Sequence, residues 1–121
     1  MVGPNFYWKA GSALGMTALG LGAFGAHGLA KHVGNDATKI RNWTLASEFQ
    51  LMHGVALLVL SSVGQVRKVH PLASPLILGG TIAFSGTIYL LTLNRDTFRP
   101  LGPVTPLGGI AMMAGWACLL L

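Results

Sequence analysis

The chain has 121 residues, of which 52% are hydrophobic and 9% charged, with a formal net charge of +5. A soluble domain carries roughly 25% charged residues, so this composition could not cover a water-facing surface, and lipid is its natural solvent. The eight Lys and Arg stand singly or in pairs between apolar stretches, as anionic headgroups favour. That arrangement argues against nucleic acid as a partner, and the single cysteine, Cys118, excludes an intrachain disulfide.

Four apolar stretches follow one another at about residues 6–30, 44–66, 72–93 and 101–121, each near the roughly 20 residues that cross a bilayer core. The expected architecture is therefore all-α: a single domain over residues 1–121, an integral membrane bundle of four antiparallel transmembrane helices. Span one has no formal charge between Lys9 and Lys31. Span two carries Glu48, Gln50 and His53. Connections at Lys31–Asn42, Arg67–Pro71 and Asn94–Pro103 are short and rich in turn residues, and Asn35 or Asp36 is placed to cap the start of span two. Thr105 before Pro106 reads as an N-cap followed by the first helical residue. Short loops force antiparallel neighbours. Phe6, Tyr7, Trp8, Trp43 and Trp116 lie near the span ends, where the headgroup level favours Trp and Tyr.

Helices in lipid associate through close packing of small residues. Span one offers Gly11, Gly15, Ala18, Gly22 and Gly25, in steps of four, three, four and three residues. Span three offers Gly79, Ala83 and Gly86. Span four offers Gly108, Ala111, Gly115 and Cys118. Packing within the chain is the first use of these faces.

With the N-terminus on side A, loops one and three fall on side B. His27, Gln50, His53, Ser85, Tyr89 and Thr105 then all lie toward side B, while the other half is nearly all apolar. Polar groups at membrane depth should face inward and find one another, so these six residues form a candidate polar cluster centred on His53. Plainer readings stand beside it. His27 could end its helix at the interface, Ser85 could bond back to its own helix, and Glu48 could pair with Arg41 or Lys39.

Two histidines on adjacent helices can ligate haem, but His27 and His53 alone do not make a haem signature. No catalytic, metal or cofactor site is expected: no nucleophile motif or phosphate loop is present. The expected role is that of a non-enzymatic accessory or scaffold subunit of a larger membrane complex, with membrane lipids and other membrane subunits as partners. The alternative is a binder or carrier of a small membrane-soluble ligand, a lipid headgroup or quinone, ringed by Lys31, Lys39, Arg41, Arg95 and Arg99. Lys and Arg on side A (Lys9, Arg67, Lys68) are outnumbered by those on side B, which places side B in the cytoplasm or matrix. The mitochondrial inner membrane is one candidate location.

The segments Gly22–Leu29 (GAFGAHGL), Gln50–Leu58 (QLMHGVALL), Phe84–Leu91 (FSGTIYLL), Leu101–Gly109 (LGPVTPLGG) and Ala114–Trp116 (AGW) resemble a small membrane family of unknown function that includes transmembrane protein 256. The resemblance runs in order along nearly the whole chain and implies a four-span bundle. It implies no activity. The family's motif positions fall here on His27, Gln50, His53, Ser85, Tyr89, Thr105 and Pro106.

Overall fold

A computed structural model describes Gly3 and residues 5–121; Met1, Val2 and Pro4 of the expected 1–121 domain lie outside the described residues. The described chain is helical throughout, without strands: α1 (Phe6–His27), α2 (Leu29–Val33), α3 (Ala37–Val63), α4 (Ala73–Leu93), α5 (Arg95–Phe98), a 3-10 turn (Arg99–Leu101) and α6 (Val104–Cys118). Gly28 breaks α1 from α2. Gly34 and Asn35, at φ +64° and +63°, turn the chain through the left-handed region that suits exactly such residues. Asp36 then caps α3, accepting from the backbone N–H of Thr38 (3.0 Å) and Lys39 (3.2 Å). As a result α3 starts at Ala37, seven residues before the expected span.

The fourth span differs more. α6 begins at Val104 with Pro103 at its N-cap position and no side-chain cap. Thr105 is therefore not the cap that its place before Pro106 suggests; it sits inside the helix with its hydroxyl turned to Thr87. The preceding stretch, expected as loop or helix start, is α5 and the 3-10 turn, with Asn94 capping α5 through the Thr97 N–H.

α3 and α4 are long and apolar enough to cross a membrane, and Arg95–Leu101 with Val104–Cys118, bent by 48° at the break, make a third such segment. α1, at 22 residues, has the length, but its glycines, Lys9 and His27 lower its mean hydropathy. Those same glycines determine how it packs.

α1 and α3 run antiparallel with two matched stripes. Gly25 faces Trp43, Gly22 faces Ser47, Thr17 reaches Gln50, and Gly11 meets Gly54 and Leu57. Along α3 the stripe is Trp43, Ser47, Gln50, Gly54, Leu57, all buried, in the same alternating steps of four and three as the glycine stripe of α1. A methyl group on Gly54 would stand 2.9 Å from the Gly11 carbonyl oxygen, so the two backbones touch. α4 and α6 form the second tight pair: Ile77 faces Gly115, Gly80 faces Met112, Phe84 faces Gly108 and Thr87 faces Thr105. Here the expected face is off by one residue. Gly79 is exposed, and neither Gly79 nor Gly86 has anything within 4 Å of a would-be Cβ; Gly80 is the residue that lets the helices close.

α3 and α4 join the pairs. Trp43, Tyr89, Leu29 and Ala46 form the apolar cluster at that seam, with the Trp43 and Tyr89 rings 4.7 Å apart. The helices thus form a row, α1–α3–α4–α6, rather than a closed bundle: α1 and α6 share no substantial contact. A row of this kind leaves clefts over α3 and α4.

The glycine assignment yields a paired prediction. Gly80→Leu must push α4 off the α6 backbone and should cost about 3 kcal/mol or more. Gly79→Leu, one residue away, should change stability by no more than about 0.5 kcal/mol. Unfolding of both variants in mixed micelles checks the contrast; equal effects would contradict the register.

Candidate functional site

Gln50 lies midway along α3, with Ala37 and Val63 at the ends of the helix, and is buried. Its side-chain N–H groups donate to the Leu14 carbonyl oxygen (3.0 Å) and to Thr17 Oγ1 (2.6 Å) on α1. Its Oε1 accepts from the Tyr89 hydroxyl on α4 (2.8 Å). The orientation of the amide is not arbitrary. A carbonyl can only accept, so the nitrogen must face Leu14 and the oxygen must face Tyr89. One primary amide thereby ties three helices together.

His53 is one turn further along α3, also buried, and belongs to a different set. Its Nδ1 lies 2.7 Å from the Phe49 carbonyl oxygen of its own helix, and its Nε2 accepts from the indole N–H of Trp116 on α6 at 3.0 Å. A carbonyl acceptor on one nitrogen and an N–H donor on the other select the neutral Nδ1–H tautomer. The imidazole is a bridge from α3 across to α6, with the two rings edge to face at 5.8 Å.

Ser85 does not bond back to its own helix. It donates to the Ala46 carbonyl oxygen at 2.7 Å, fastening α4 to α3. Thr87 and Thr105 share a hydrogen bond between α4 and α6. Trp43 donates its indole N–H to the Leu21 carbonyl oxygen at 2.7 Å, fastening α3 to α1. Among the described residues, no buried side-chain nitrogen or oxygen lacks a partner.

The six expected residues are thus not one unit centred on His53. Gln50 and Tyr89 meet directly and Ser85 fastens the same seam, but His53 bonds across to Trp116 of α6, and Thr105, itself on α6, bonds separately to Thr87 of α4. His27 stands apart: it is exposed, at the last residue of α1. In the antiparallel register it lies level with Arg41, roughly 18 Å along the axis from His53 at about 1.5 Å per residue. The two histidines cannot share an iron in this arrangement. Among the described residues no three His, Cys, Asp or Glu side chains gather as a metal site.

Sequence reasoning passed over Thr17, Trp43 and Trp116. Trp43 and Trp116 read as headgroup anchors, yet Trp43 is 1% exposed and Trp116 is the donor to His53. The usable signal was spacing: Trp43 stands seven residues before Gln50, on the same stripe of α3. Glu48 has the opposite fate. It is exposed, on the face of α3 away from both neighbours, and makes no ion pair; among the described residues the only pair is Arg99 with Asp96. The expected partnership with Arg41 or Lys39 does not form.

Helices long and apolar enough for a bilayer, fastened by interhelical hydrogen bonds and close glycine contacts beside a small apolar cluster, define a multi-pass helical membrane protein. The chain belongs to a family of membrane proteins of unknown function, described as "Protein of unknown function (DUF423)", whose model matches residues 21–109. It is 36% identical over 122 residues to a UPF0382 membrane protein of Schizosaccharomyces pombe, covering 93% of this chain and 97% of that one. It is 36% identical over 112 residues to a UPF0382 membrane protein of Staphylococcus aureus, covering 92% of this chain and 88% of the relative. The UPF0382 membrane protein YwdK of Bacillus subtilis is 33% identical over 113 residues, with 88% and 85% covered. No solved structure matches.

Interhelical hydrogen bonds in membranes average roughly 0.6 kcal/mol and reach about 2. Gln50→Leu, which removes three of them, should therefore destabilise the protein by about 2 kcal/mol, and Tyr89→Phe by about 1 kcal/mol. Adding Tyr89→Phe to Gln50→Leu should cost little more, because its partner is already gone. Strict additivity in a double-mutant cycle would show that the two side chains do not interact.

Proposed function

We propose that the protein is a four-span, non-enzymatic accessory subunit of a larger membrane complex, docked through the outward face of α3. Glu48 carries this reading. It stands about 10 Å beyond Arg41 along the helix axis, at 1.5 Å per residue, below the level that Lys39 and Arg41 mark. Met52, Val55 and Val59 continue its stripe, each about half exposed. A carboxyl group at that depth on an apolar face is costly and calls for a partner, and none comes from within the chain. A transmembrane helix of another subunit presenting a hydrogen-bond donor or a cation at the same level fits the stripe.

Support for a non-enzymatic role comes from how the polar groups are used. Both amide hydrogens of Gln50, both ring nitrogens of His53 and the hydroxyls of Ser85 and Tyr89 are engaged in bonds that hold helices. Chemistry at these groups would have to dismantle the fold. The fourth span in this reading is α1, too rich in glycine to stand alone in lipid but matched along its length by α3. The likeness to transmembrane protein 256 belongs with the same reading.

Extracted in a gentle detergent, the protein should migrate on a native gel well above the size of one chain. Glu48→Leu should shift it to single-chain size while leaving helix content and melting unchanged or improved. Mass spectrometry of the co-migrating material would tell a different subunit from a second copy. Migration of the unaltered protein as a single chain, or an unshifted assembly in the variant, would defeat the proposal.

A further inference from the structure

The row of helices leaves a groove along α4, walled by α3 on one side and α6 on the other. Its upper part, about 320 Å³, is lined by Lys39 and Asn42 of α3, by Ile88 and Leu91 of α4 and by Arg95 at the start of α5. Its lower part, about 400 Å³, is lined by Phe49, Ile110 and Met113 and ends at His53 and Trp116. Phe84 lines both parts, so the two adjoin at its ring, and both are open to the side. We propose that this groove binds one phospholipid, its phosphate between Lys39 and Arg95 and an acyl chain laid over Phe84 toward the His53–Trp116 bridge.

Charge and length both support this occupant. Lys39 and Arg95 are the two cations at the mouth, and neither has a carboxylate partner among the described residues. The nearby acids are otherwise engaged: Asp36 caps α3, and Asp96 pairs with Arg99 at 3.4 Å. A basic pocket between helices on the headgroup side suits an anionic lipid head. Below the mouth the lining is almost wholly apolar, and the hydrogen bond that closes the lower end leaves no unsatisfied donor to favour a polar ligand. From Lys39 to His53 the groove runs about 21 Å at 1.5 Å per residue. One leaflet with its headgroups measures roughly 20–22 Å. A charged mouth and a closed end one leaflet apart fit a lipid lying along the bilayer normal. The proposal rests on the spanning orientation of α3, α4 and α6 but not on Glu48, which projects from a different face of α3.

Native mass spectrometry of the detergent-purified protein, titrated with phosphatidylglycerol, reads the site directly. One lipid should be retained per chain, roughly tenfold more tightly than diacylglycerol, which lacks the phosphate. Lys39→Gln/Arg95→Gln should weaken retention about tenfold. Gly109→Leu, whose Cβ would have only ordinary contact with Phe84 at 3.7 Å, should fill the groove and abolish retention while the helical melt is preserved. Arg67→Gln, at the other end of the protein, should change nothing. Equal retention of diacylglycerol by the unaltered protein would overturn the proposal without any variant. So would equal retention of phosphatidylglycerol by all the variants, or protection of the melt by inorganic phosphate alone as strong as by the lipid.

Discussion

A primary amide halfway along a 27-residue helix cannot turn to water when that helix lies in a bilayer. Gln50 has two donors and an acceptor to place, and hydrocarbon offers none of their partners. The arrangement of α1, α3 and α4 answers this constraint. α1 must bring a carbonyl and a hydroxyl to the same level, and α4 must bring a phenol from the other side. Leu14, Thr17 and Tyr89 do this, and the close backbone approach of Gly11 to Gly54 is what puts α1 within reach. Small residues and polar residues are thus not two separate devices. The glycines set the distance over which the hydrogen bonds can form.

Two helix pairs built on this principle, joined by a single seam, make a row with open sides. The seam is fastened at Ser85 to Ala46, at Tyr89 to Gln50 and by the aromatic contact of Trp43 with Tyr89. Beyond it, His53 reaches across the groove to Trp116, the one polar bridge between α3 and α6 among the described side-chain hydrogen bonds. A closed bundle would have left no groove beside this bridge. The row instead gives α3 three distinct edges: one against α1, one toward α4 and the groove, and one outward, where Glu48 stands. A single helix therefore has separate faces for the structural interior, for the proposed lipid groove and for the proposed docking surface.

Helix content and membrane character were legible from composition and from the length of the apolar stretches. The α1 stripe was also legible, because glycines at steps of four and three leave little choice of face. The α4 stripe was not. Gly79 and Gly86 suggested a face one residue away from the one Gly80 occupies, because neighbouring small residues such as Ala83 made both faces look equally close-packed. Polar residues at depth were rightly seen to need partners, but sequence order gives depth only to within a turn or two. It could not tell that His53 faces α6 while Gln50, one turn away, faces α1 and α4. Trp43 and Trp116 misled for a physical reason: an indole suits the headgroup level, yet its N–H serves equally well to fasten two helices wherever a carbonyl or an imidazole waits.

The central claim is that Gln50 is satisfied by the protein and not by water or lipid. Solid-state NMR in bilayers can observe it, with the Gln50 side-chain nitrogen labelled together with the Leu14 carbonyl carbon and the Tyr89 ring. The account predicts through-space correlations from the Gln50 amide group to both residues and no exchange of its amide protons with bulk water. Correlation of that amide with water or lipid protons, and with neither residue, would contradict it.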